Sequence, residues 1–419
     1  MRILVIGNEP PWPLCYGGRL HGYELCRRLA RAHELLLVAE RSCEVDDPPL
    51  PFPYQVGCAS AITAGRDPDG ESPPDPPLSR VERFFGIDPD FTREVVRFAG
   101  QWRPDVVIGM NYRSLAYLSR IRGVPTICDL LDDETLHRLR ELLGGRATSK
   151  WADLKCLLAA WAYQRRLIPK VTAVTVLSEI DARFCRRHTR HRRVECIPHG
   201  VDCDHYRPMA VPEDENRVIF WGSLTFGPNI AAILMFAEKV WPLVLKARPQ
   251  ARWTIIGRGD SPLLTPVRRM KGVDYLGYVD DLRPHAAGAA VAVVPMVSGA
   301  GIKNKIMEAW ALARPVLCTP TALGDLPGVH GHNVWLARRP RELADGLLTL
   351  LADRELRRRL GWAGRQTALR HCSWDRAAEA FERLCRDVAG GSPEDARANR
   401  PVERLAAEHR PQEAIHAAT

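Results

Sequence analysis

The 419-residue chain has no apolar run long enough to cross a bilayer. Its longest weakly polar stretch, Ala286 to Val297, falls short of the roughly 20 residues that a spanning helix needs, and Gly288 and Pro295 interrupt it. The opening apolar stretch, Ile3 to Ile6, stops at Gly7-Asn8-Glu9, so no secretory leader is read there. No Cys-x-x-Cys pair occurs among the twelve cysteines, scattered singly from Cys15 to Cys385, and no Cys/His spacing fits a zinc site. Cys128, Cys196 and Cys318 sit inside apolar runs, where a reduced thiol packs as a small hydrophobe. These absences point to a cytoplasmic protein with reduced thiols and no metal centre. Aromatics are sparse, at 7%, and none interrupts the basic run Arg186 to Arg193, which speaks against a nucleic-acid module and leaves a solvated helix end and turn, with a membrane-surface patch as the alternative. Gly7 to Gly18 lacks the Gly-x-Gly-x-x-Gly spacing of a dinucleotide fingerprint.

What is present is a net charge of +9 and two rounds of strand–helix alternation. The charge calls for an anionic partner, such as a phosphorylated small molecule, and allows peripheral docking at an anionic inner membrane face. Buried-strand runs read at Ile3 to Gly7, Leu35 to Ala39, Asp105 to Gly109, Pro125 to Leu131, Thr172 to Leu177 and Val194 to Ile197. Helical spacing fills the intervals, as at Arg80 to Gln101, Trp151 to Leu167 and Glu179 to Arg187. The pattern restarts after Asp214-Glu215-Asn216, with strands at Val218 to Trp221, Trp253 to Gly257, Val291 to Pro295 and Val316 to Thr319, and helices at 229–246, 302–313 and 341–351. Largely apolar strands alternating with helices mean parallel sheets covered on both faces.

The division that follows is a Rossmann-like unit over 1–203 with a Pro- and acid-rich surface excursion at 44–77, a linker at 204–216 and a second Rossmann-like unit over 217–373. A helix at 374–388 crosses back, and a disordered tail covers 389–419. Such units bind ligands at their strand C-terminal ends, here facing a shared cleft.

The chemistry concentrates in Gly301-Ile302-Lys303-Asn304-Lys305-Ile306-Met307-Glu308. A buried strand ends at Pro295-Met296, and small residues lead into a helix starting near Ile302. Glycines admit a close ligand, and the first helical N–H groups carry the positive end of the dipole. Lys305 and Glu308, three apart, share a face: the cation suits a phosphate and the carboxylate a ribose diol. Asp129, Asp132, Asp133 and Glu134 cluster at a strand end, where acceptor binding, acid/base work and a charged helix N-cap are all open. Asp202-Cys203-Asp204 reads as a turn rather than a metal motif. Along Lys150 to Leu167, Trp151, Leu154, Leu157, Leu158 and Trp161 share one face, expected to pack on the sheet, with a lipid-facing helix as the alternative.

With these residues in view, the chain resembles the GT-B glycosyltransferases of family 4, and among them the sugar transferases associated with exopolysaccharide and PEP-CTERM gene clusters. Five stretches carry the resemblance: Arg2 to Ala30 with Gly17-Gly18-Arg19, Ile197 to Asp202, Gly222-Ser223-Leu224 with Pro228-Asn229, Gly277 to Leu282, and Gly301 to Pro315. The resemblance implies an α/β GT-B fold, in which two doubly wound domains face a central cleft. It implies a retaining, metal-independent transfer from a nucleoside-diphosphate sugar, in polysaccharide, glycolipid or glycoside biosynthesis, with no cofactor beyond the donor.

Residue by residue, it places Glu308 on the donor ribose, Lys305 on the diphosphate, and Gly17 and Gly18 where the donor phosphates approach the first domain. Lys303, Asn304, Gly301 and Ile302 complete the phosphate loop. Gly257, Tyr278 and Val279 lie at strand ends near the base, and Gly222 opens the stretch that stands for the family's phosphate pair. Asp129 is the catalytic candidate on the acceptor side, and the acceptor is a lipid-linked glycan or a small molecule.

Three departures stand out. Ala300 occupies the place of a family glutamate, Ser223 and Pro228-Asn229 replace a basic pair, and Ile108 to Tyr112 lacks a family histidine. The alternatives are a nucleotide-sugar epimerase or hydrolase on the same fold, and a non-catalytic nucleotide-sugar-binding partner.

Overall fold

The computed structural model describes residues 1–14, 17–41, 49–57, 78–143, 150–298 and 303–390. Gly301, Ile302, Ala300, most of the 44–77 excursion and the tail from 391 onward lie outside the described residues.

Two parallel sheets form the frame. The first has seven strands in the order β3-β2-β1-β4-β5-β6-β7: β1 Arg2–Gly7, β2 Glu34–Ala39, β3 Tyr54–Val56, β4 Val106–Met110, β5 Thr126–Asp129, β6 Ala173–Val176 and β7 Val194–Cys196. The second has six, in the order β10-β9-β8-β11-β12-β13: β8 Asp214–Trp221, β9 Arg252–Ile256, β10 Val273–Gly277, β11 Ala289–Val294, β12 Val316–Cys318 and β13 Trp335–Leu336. Strand order reverses at β1/β4 and at β8/β11, the switch points where an open α/β sheet parts its loops and admits a ligand. β11, all six residues buried, is apolar throughout because helices cover both of its faces. This is the α/β, two-sheet architecture expected from the alternation of strands and helices.

The structure departs from the sequence reading in several places. β3 lies within the Pro-rich excursion, pairing Leu37↔Tyr54 on the far edge of the first sheet. β8 begins at Asp214, inside the stretch read as linker. The helical segment read over 80–101 holds two helices, Arg80–Phe84 and Pro89–Trp102, parted where Asp88 caps the second by accepting from the amides of Asp90 and Phe91. A helix at Arg354–His371, unmarked in the sequence reading, packs its Gly361 and Gly364 against Ala313 and Trp310.

Helix Lys150–Leu167 corrects the expected packing face. Its buried residues are Ala160, Tyr163, Gln164 and Leu167, whereas Trp151, Leu158 and Trp161 are exposed. Polar anchoring decides the orientation: the Tyr163 hydroxyl donates to Arg113 O at 3.0 Å, and Gln164 Oε1 accepts from Thr135 N at 3.0 Å. A buried hydrogen bond broken to turn the helix over would leave unsatisfied groups, at about 1–3 kcal/mol each.

Two crossings join the halves side by side. Val201 N donates to Cys372 O at 2.7 Å, and the backbone N of Trp374 would lie 2.3 Å from a Cβ on Gly200. The helix Trp374–Ala389 then lies on the first sheet's helix Gly17–Leu29, with Trp374, Phe381 and Leu384 in the same core as Ile3, Leu25 and Ile108.

Candidate active site

The site on the second sheet starts where β8 and β11 part. β8 ends at Trp221, and Gly222 follows with φ +143°, a conformation that side chains rarely adopt. Gly257, at the end of β9, lies so close beneath it that a Cβ there would come within 1.9 Å of Gly222 O. This close approach brings the loop after β8 over the end of β9 and leaves Gly222 leaning on Asn229 and Lys305.

Helix Asn304–Ala311 rises from the loop after β11, beginning two residues later than the glycine pattern suggested, with Lys303 as its N-cap. Lys305 Nζ donates to Asn229 Oδ1 at 2.8 Å and stands 4.8 Å from the Phe220 ring centre. Asn229, buried at the start of helix Gly227–Lys239, donates in turn to Ser223 O at 2.9 Å. Burial pushes the Lys305 ammonium down to about 8, and neighbouring Glu308 opposes that shift.

One turn along, Glu308 accepts from Trp221 Nε1 at 2.6 Å and from the Tyr206 hydroxyl. Burial raises the Glu308 carboxyl, and these donors and Lys305 hold it back. Thus an ammonium and a carboxylate lie one helical turn apart at the switch point, each oriented by a second buried group.

Lys303 is buried, and burial takes it down to about 8 against the attraction of Asp132 on the first sheet. Asn304 follows it, with a buried Oδ1 that accepts no hydrogen bond among the described residues. Gly277 ends β10, accepting from Gly257 N at 2.8 Å. Tyr278 beyond it is exposed beneath the Arg258 guanidinium, 5.0 Å from the ring centre, while Val279 packs on the core. The strand ends of β10, β9, β8 and β11 therefore carry, in order, Tyr278, Gly257, Gly222 and Lys303.

The first sheet turns its own strand ends toward these groups. Glu179 N, after β6, donates to Asp325 Oδ2 beyond β12 at 3.1 Å. Gly17 and Gly18 open helix Gly17–Leu29, and a side chain at Gly17 would meet nothing within 4 Å, so packing does not demand a glycine there. A cavity of about 180 Å³ beside them is lined by Asn8, Glu9, Gly18, Arg19, His21 and Asn111, among others. Arg19 is held by Glu9, Nη2 to Oε1 2.7 Å.

Asp129 is buried beneath that cavity rather than open to it. Its Oδ1 accepts from the Thr175 hydroxyl at 2.8 Å, and its Oδ2 lies 2.6 Å from His21 Nε2. His21 Nδ1 lies 3.0 Å from His199 Nδ1, and Trp374 packs edge-on to both rings. Burial, with His21 adding to it, keeps His199 neutral well below the usual imidazole range. Asp129 thus touches His21, which lines the cavity, and does not line it itself. Asp133 serves as the helix N-cap, accepting from Leu136 N at 3.0 Å, and its burial raises the carboxyl.

Two motifs resolve as local structure. Asp202 Oδ1 accepts from the amides of Asp204 and His205, at 3.0 and 2.9 Å, which is an Asx turn. The basic run ends helix Glu179–Thr189: Arg190 is left-handed, and Arg186 donates to Val194 O.

The sequence reading missed His21, His199, Trp221 and Tyr206. His21 and His199 both stood in stretches already singled out, but 178 positions separate them, and only the fold makes them neighbours.

Comparisons with known proteins bear on this site. The model of Glycosyltransferase Family 4 matches residues 17–205, and that of Glycosyl transferases group 1 matches residues 215–353. The GDP-mannose-dependent alpha-(1-6)-phosphatidylinositol monomannoside mannosyltransferase of Mycobacterium tuberculosis is 27% identical over 240 residues, which is 51% of this chain and 61% of that one. An uncharacterized 44.6 kDa protein from the cps region of Klebsiella pneumoniae is 24% identical over 130 residues, 29% of this chain and 33% of its own length.

Among solved structures, sucrose-phosphate synthase from Thermosynechococcus elongatus superposes with a TM-score of 0.70 at 16% identity, covering 93% of this chain and all of that one. Anabaena HepE in complex with UDP and glucose gives 0.62 at 14% identity, over 91% of this chain and 98% of that one. At those identities the structures speak for the fold, which is GT-B. The two family models between them cover most of both sheets, and the chain belongs to the GT-B glycosyltransferases of family 4, group 1.

Proposed function

We propose that the protein transfers a sugar from a nucleoside-diphosphate sugar to an acceptor hydroxyl. The observation that supports this most is the Lys305–Glu308 turn at the β8/β11 switch point, with the ammonium held by Asn229 and the carboxylate by Trp221. In this proposal Glu308 accepts from the ribose diol. Lys305, Lys303 and the first N–H groups of helix Asn304–Ala311 then meet the diphosphate.

In the reaction, the bond between the sugar's anomeric carbon and the diphosphate oxygen breaks. A bond from that carbon to the acceptor oxygen forms, and the acceptor's proton is released. Negative charge grows on the leaving diphosphate, and cations already fixed beside it stabilise the transition state without reorganising. In this reading the protein supplies the counter-charge from lysines rather than through a metal. Retention at the anomeric carbon rests on the family resemblance. The acceptor, a lipid-linked glycan or a small molecule, would enter beside Gly18, Arg19 and His21, with Asp129 as a positioning residue through His21.

The UDP and glucose of the HepE complex belong to that protein, and the mannosyl donor and inositol-lipid acceptor to the mycobacterial relative. They set the first panel to try. The purified chain is incubated with UDP-, GDP- and dTDP-sugars, recording nucleoside-diphosphate release and thermal shift, alongside Lys305→Ala. Release from one donor, abolished by the substitution, supports transfer or hydrolysis, and labelled sugar appearing on an acceptor distinguishes the two. A shift without release with any acceptor points to a binding protein. No shift with any donor overturns the proposal.

A further inference from the structure

Helix Lys150–Leu167 turns an unusual side to solvent. Trp151 is 82% exposed, Leu158 57% and Trp161 43%. At about 100° per residue, Trp151 and Leu158 fall opposite the buried Ala160, Tyr163, Gln164 and Leu167, and Leu154 and Trp161 flank them on the same exposed side. The cations Lys155, Arg165 and Arg166 share the exposed side, whereas the helix's one acidic residue, Asp153, falls on the other. Arg165 lies against the Trp161 ring, 5.4 Å from its centre, and Lys155 stands 5.7 Å from the centre of exposed Phe84 on the adjoining helix. The preceding helix, Glu134–Leu143, ends in an exposed Leu143 and begins directly after the Asp129–Asp133 segment at the cleft. The apolar and basic side is therefore one helix pair away from the acceptor-side strand ends.

We propose that this side of the helix docks on an anionic bilayer surface, bringing the acceptor side of the cleft to the headgroups. Three properties select that occupant. Tryptophan prefers the water–hydrocarbon boundary, where its ring is buried and its N–H stays hydrated. Lysine and arginine can lay their stems on the same apolar surface and reach phosphates with their heads. A second copy of the chain is a poorer match, because a two-fold contact would set Lys155, Arg165 and Arg166 against their own equivalents. The proposal goes beyond the donor chemistry, and its test needs no turnover, so a failed donor screen and a failed docking experiment remain distinct results.

The full chain is sedimented with vesicles of phosphatidylcholine alone and of phosphatidylcholine mixed with phosphatidylglycerol. Pelleting with the anionic vesicles is expected, weakening as salt is added. The pair Trp151→Ser/Trp161→Ser and the pair Lys155→Glu/Arg166→Glu should each lower the partition coefficient by about tenfold or more. Trp362→Ser, at an exposed tryptophan on helix Arg354–His371 of the other half, should leave it unchanged. Thermal unfolding midpoints matching wild type show that the variants are folded. The proposal is overturned if wild type stays in the supernatant, pellets equally with neutral vesicles, or pellets undiminished in both paired variants. It is also overturned if wild type is a dimer that Trp151→Ser/Trp161→Ser converts to monomer, which would make the face a subunit interface.

Discussion

Asn229 holds Lys305 through an amide oxygen, at 2.8 Å from Nζ, and is itself fixed to Ser223 O by its NH₂ group. An amide positions the ammonium without cancelling its charge, which leaves that charge for an anion. Asn229 belongs to the Pro228-Asn229 stretch that, with Ser223, stands where the family resemblance calls for a basic pair. Asn229→Asp would convert the contact into an ion pair, raise the lysine above its present value of about 8 and spend its charge inside the protein. Donor KM should rise by about tenfold or more, read from initial rates of diphosphate release, while the lost hydrogen bond to Ser223 O offsets what the new ion pair adds to stability. A KM within twofold of wild type would contradict this role.

Removing Lys305 itself should be more severe. A preorganised charge at a leaving group is worth about 10²–10³ in kcat, and Lys305→Ala should lose that much at saturating donor. Lys305→Arg should rescue little, because a planar guanidinium does not repeat the point-like ammonium contact with Asn229.

Burial holds Lys303 and Lys305 at about 8, below their ordinary 10.5. The sign is fixed by linkage: between those values the unfolded chain carries more protons than the unliganded fold, so their contribution to stability rises with pH. A bound diphosphate favours the charged forms and pulls the protons back. Calorimetry at pH 8.5 in buffers of different ionisation enthalpy should therefore show proton uptake on binding of the nucleoside diphosphate. That uptake should shrink toward pH 6.5, where both lysines are already charged, and should fall in Lys305→Ala. Proton release at pH 8.5 would refute the assignment.

Trp221 donates its indole N–H to Glu308 at 2.6 Å, a charge-assisted bond when the carboxyl is ionised. Trp221→Phe leaves a buried carboxylate short of one donor and raises it further. The expected result is a donor KM raised about tenfold with a smaller change in kcat, and a loss that deepens as pH falls. A pH-independent effect would make the tryptophan a packing residue only.

Gly200 touches the backbone of Trp374, so Gly200→Ala forces apart the two strands that join the halves. A cost of about 1–3 kcal/mol is expected in chemical unfolding, because the obstructing atoms are main chain and cannot rotate away. A change below about 0.5 kcal/mol would show that the crossing is loose.

Much of this was readable along the chain. The apolar runs marked most strands because parallel strands covered on both faces must be apolar throughout, and Gly222, Lys305 and Glu308 fell at strand and helix ends where short-range spacing is enough to place them. Edge strands were less legible: β3 and β13, three and two residues long, are too short and too little buried to leave a hydrophobic period.

The amino-acid order by itself determined the alternation of strand and helix and the turn that carries Lys305 and Glu308, because each depends on residues within a few positions of one another, and it carried the family in five short stretches along the chain. Only the tertiary structure decided which far-separated groups meet: Asn229 with Lys305, Trp221 with Glu308, and His21 with both Asp129 and His199. It also decided which side of Lys150–Leu167 faces water. Composition favoured burying the tryptophans, but Tyr163 and Gln164 had hydrogen-bond partners waiting on the inner side. Burial strips water from such polar groups, so the arrangement that satisfies them prevails, and where partners lie is a property of the assembled fold.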